Sequence, residues 1–74
     1  MKTLEESARL LTLKQPTLTF FEACDLLTAA YRRLSGAKGY GNLLQTCMKI
    51  EFGILCRLTE AELNSRLMSL VEDR

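Results

Sequence analysis

The sequence predicts an all-α fold: a compact bundle of three to four short helices forming one small domain over residues 1–74, expected to be dimeric. Three observations predict it. Thr3 with Glu6, Thr19 with Glu22 and Thr59 with Glu62 each have the spacing of a capping box. In that motif the hydroxyl accepts from the backbone amide three residues on, and the carboxylate accepts from the cap's own amide. Behind each box, apolar residues recur at helical spacing. The apolar content of 47% is ordinary for a globular protein and too high for a disordered one.

The first helix is expected over about residues 4–13, with Leu4, Ala8 and Leu11 on one face. Gln15-Pro16 stops it, because proline disfavours helical geometry in the residue before it. The second is expected over about residues 20–34. Phe20, Ala23, Cys24, Leu27, Ala30, Tyr31 and Leu34 make its apolar stripe, and Glu22, Asp25, Arg32 and Arg33 fall opposite. Gly36 is placed to close it as a left-handed cap. The last helix, over about residues 60–72, buries Leu63, Leu67, Leu70 and Val71. Its Glu60 and Glu62 sit at the end where the helix dipole favours acids.

Segment 43–58 admits two readings. As a helix, Leu43, Leu44, Cys47, Met48, Ile50, Ile54, Leu55 and Leu58 cover a broad apolar arc, with Glu51 the main misfit. As a strand over about residues 48–58, Met48, Ile50, Phe52, Ile54, Cys56 and Leu58 alternate with mostly polar neighbours. Periodicity does not separate the two. The helix accounts for more residues, and no other segment offers a lone strand a partner within the chain. The helix is therefore expected. A carboxylate inside an apolar arc requires a raised pKa or a cationic partner, so Glu51 is expected to be paired, across a subunit boundary if not within the chain.

Several activities are excluded by residue inventory. Cys24, Cys47 and Cys56 are odd in number and lack a CxxC pair, which argues against a secreted disulfide framework. With no histidine in the chain, they cannot make an ordinary closed zinc site. They read as small apolar side chains, with Cys56 beside Arg57 the one hint of a reactive thiol. No histidine serves as general base and no nucleophile sits in a recognisable motif, so no enzymatic activity and no cofactor are expected. The net charge of +1 gives no field to draw the whole protein onto DNA or an anionic membrane. No signal peptide or membrane span is visible, and a reduced, cytoplasmic setting is expected.

Two candidate surfaces remain. Arg32, Arg33, Lys38 and Tyr40 surround a glycine-rich turn and are candidates for phosphate or partner contact. The turn matches neither a P-loop nor a dinucleotide-binding fingerprint. A helix-turn-helix is disfavoured, since the helix at Glu60 would open on DNA with two acids. The stronger candidate is segment 43–58, whose apolar arc is wider than three small helices can cover. Met48, Ile50, Phe52, Ile54 and Leu55 are its expected interface residues. A chain of this length buries only about 60% of its unfolded surface, so a partner chain would supply stability that a metal or disulfide does not. The function expected is that of a small regulatory or adaptor protein that binds protein, itself as a homodimer or another chain. The alternative is a nucleic-acid-binding regulator using the basic turn. No small-molecule substrate is expected.

Overall fold

The computed structural model describes residues 3–36 and 43–72. They form four helices in order: α1 (Leu4–Lys14), α2 (Phe20–Gly36), α3 (Leu44–Arg57) and α4 (Glu60–Glu72). There is no strand among the described residues, so segment 43–58 is resolved as a helix. The protein is an all-α bundle.

All three threonines cap their helices, two of them in complete boxes and Thr3 through its hydroxyl alone. At Thr19 and Thr59 both halves of the box close: each threonine amide donates to the glutamate Oε1, at 2.9 and 3.1 Å. In return the amides of Glu22 and Glu62 donate to the threonine hydroxyls, at 3.1 and 3.2 Å. At Thr3 the hydroxyl accepts from the Glu6 amide at 3.2 Å. The bonds from Thr59 hold the Glu62 carboxyl below its ordinary pKa, the backbone amide contributing most and Arg66 adding to it.

The helices meet around α2, which packs against all three others, while α1 also reaches α3. The molecule is only 18 Å thick along its shortest axis. Each helix contributes one large, fully buried leucine to the centre: Leu11, Leu27, Leu55 and Leu63. Ala8, Ala23 and Leu26 fill between them, and Leu18 closes the core from the α1–α2 connection.

Several expected inward positions point elsewhere. Val71 is 68% exposed and Leu4 45%. Leu26, absent from the expected stripe of α2, is buried. Its face is needed because α2 is covered on more than one side. Gly36 is the last residue of α2 and its φ lies outside the left-handed region, so it is not the left-handed cap expected.

Candidate protein-binding surface

α3 carries the candidate surface, and two contacts fix its position. The first is at its C-terminus, where the last turn of any helix leaves carbonyls without intrahelical partners. The Gln15 side-chain amide, projecting from the end of α1, donates to the carbonyls of Leu55, Cys56 and Leu58 at 3.0, 3.0 and 2.8 Å. Gln15 had looked only like the residue before a proline; it is the tie between α1 and the end of α3.

The second contact is at Glu51, which is buried among apolar neighbours as its position in the arc implied. Its Oε2 meets Arg33 Nη2 of α2 at 3.1 Å, and its Oε1 meets Arg66 Nη1 of α4 at 2.8 Å. One carboxylate thus joins three helices. The pairing is intramolecular and needs no second subunit. Both guanidiniums keep their outer edges in solvent, which lowers the cost of holding three charged groups together.

With α3 fixed in this way, its apolar residues divide into three sets. Leu55 is 1% exposed and belongs to the core, not to an interface. Four residues separate it from Glu51, so the two share one face, and that face turns inward. Phe52 also departs from expectation. It stands half-buried against the core instead of clear of it.

Phe52 and Met48 form the α3 wall of a groove of about 510 Å³, whose opposite walls are Leu4 of α1 and Leu27 and Tyr31 of α2. On the other side of the buried face, Ile50 is 60% exposed, and Ile54 follows one turn later, also exposed. Leu43, immediately before the helix, is 57% exposed and lies seven residues from Ile50, in line with it. The surplus of apolar surface on this segment is therefore real, but it lies on two faces.

Arg33 is engaged by Glu51, and Arg32 is exposed at the end of α2. Lys38 and Tyr40 lie outside the described residues. At Cys56 burial pushes the thiol pKa up against the lowering influence of Lys14 and Arg57. Cys24 is pushed up by burial first, then by the charges of Asp25 and Glu5. No cluster of three or more candidate metal ligands occurs among the described residues, and no described helix is long and apolar enough to cross a membrane.

No family model matches the chain, and neither a curated protein nor a solved structure is significantly similar to it. Sequence patterning had pointed to α3 but could not divide its arc into core, groove and outer row. That division depends on which side α2 and α4 approach.

Proposed function

We propose that this is a small regulatory or adaptor protein that works by binding protein through α3, either a second copy of itself or another chain. The observation that carries the reading is Ile50, a β-branched aliphatic side chain exposed in mid-helix, in line with the equally exposed Leu43 and followed by Ile54. Scattered exposed apolar residues are ordinary, whereas an aligned row is the pattern of a helix that meets a partner. Fully burying such a side chain contributes on the order of 1.5–3 kcal/mol, so a few of them suffice to hold a complex. The absence of histidine from the chain removes the commonest general base and supports a binding role over a catalytic one.

The test is sedimentation velocity over a range of concentrations, with capture from host lysate beside it. Assembly or capture by the wild-type protein that Ile50→Glu abolishes, with the helical signal intact, supports the reading. Ile50 is the residue to change because Phe52 is part of the core packing. A wild-type protein that stays monomeric and captures nothing overturns it.

A further inference from the structure

We draw no further inference here: the strongest candidate, the apolar groove between α1, α2 and α3 walled by Leu4, Leu27, Tyr31, Met48 and Phe52, carries nothing, because nothing in the structure shows what covers it.

Discussion

The side-chain amide of Gln15 lies 2.8 Å from the carbonyl oxygen of Leu58, 43 residues further along the chain, and in the same position reaches the carbonyls of Leu55 and Cys56. A residue at the end of one helix thereby completes the end of another. The bonds are half-buried, so water replaces them only partly when they are removed. Gln15→Ala should cost roughly 1–3 kcal/mol, the usual range for leaving buried polar groups unpaired. Gln15→Glu should cost more, because a carboxylate cannot donate and would face the negative end of the α3 dipole. Urea unfolding of the three proteins checks the order. Equal stability of all three would mean that the amide is not the tie described.

Glu51 yields an asymmetric prediction. Removing both cations, as Arg33→Met with Arg66→Met, leaves a buried carboxylate without compensation and should cost roughly 3 kcal/mol. Removing the carboxylate, as Glu51→Leu, leaves two guanidiniums that already reach solvent and can turn outward. That change should be near neutral or stabilising, since apolar replacements of buried ionic groups often are. Thermal melts at fixed pH measure both. A large loss for Glu51→Leu would show that the carboxylate contributes more to holding α2, α3 and α4 together than apolar packing can replace.

Much of the fold was legible because local and global signals agree along the chain. The Thr–Glu boxes mark three helix starts within the boxes themselves, and the Leu11, Leu27 and Leu63 positions follow from apolar spacing alone. What could not be read depends on which neighbours arrive. Leu55 and Ile50 look alike in sequence; one lies beneath α2 and the other outside the bundle. Gln15 gives no local sign that α3 will end beside it. The misfit at Glu51 did announce a cationic partner, but Arg66 stands on the far side of the α3–α4 turn and Arg33 on another helix. Pairing of that kind is settled only by tertiary approach.

The thiols of Cys24 and Cys56 should be slow nucleophiles at neutral pH. Burial raises the pKa of both Cys24 and Cys56 above the ordinary 9.0, and for Cys24 two nearby acids raise it further. Less thiolate is then present at neutral pH than in an unhindered cysteine, and the thiolate is the reacting species. Alkylation by iodoacetamide, followed residue by residue by mass spectrometry, should run slower at these two positions than at a cysteine in a short peptide. The rate should climb as the pH is raised past 9.0. Rapid labelling of Cys56 at neutral pH would show that Lys14 and Arg57 outweigh its burial.

Two glycines separate conformational need from mere presence. Gly53 lies in the middle of α3, and a methyl group added there would meet nothing closer than Arg57 Nη2 at 4.0 Å, an ordinary contact. Gly53→Ala should therefore stabilise by about 1 kcal/mol, the difference in helix propensity between the two residues. Gly36 ends α2 with nothing within 4 Å of the added carbon and a φ outside the left-handed region. Gly36→Ala should then be neutral or slightly stabilising, because alanine adopts that backbone without strain. Had the residue been a left-handed cap, the same change would cost about 1–2 kcal/mol. Urea midpoints for the two variants decide the matter, and a loss at Gly36 would place the end of α2 one turn earlier than described.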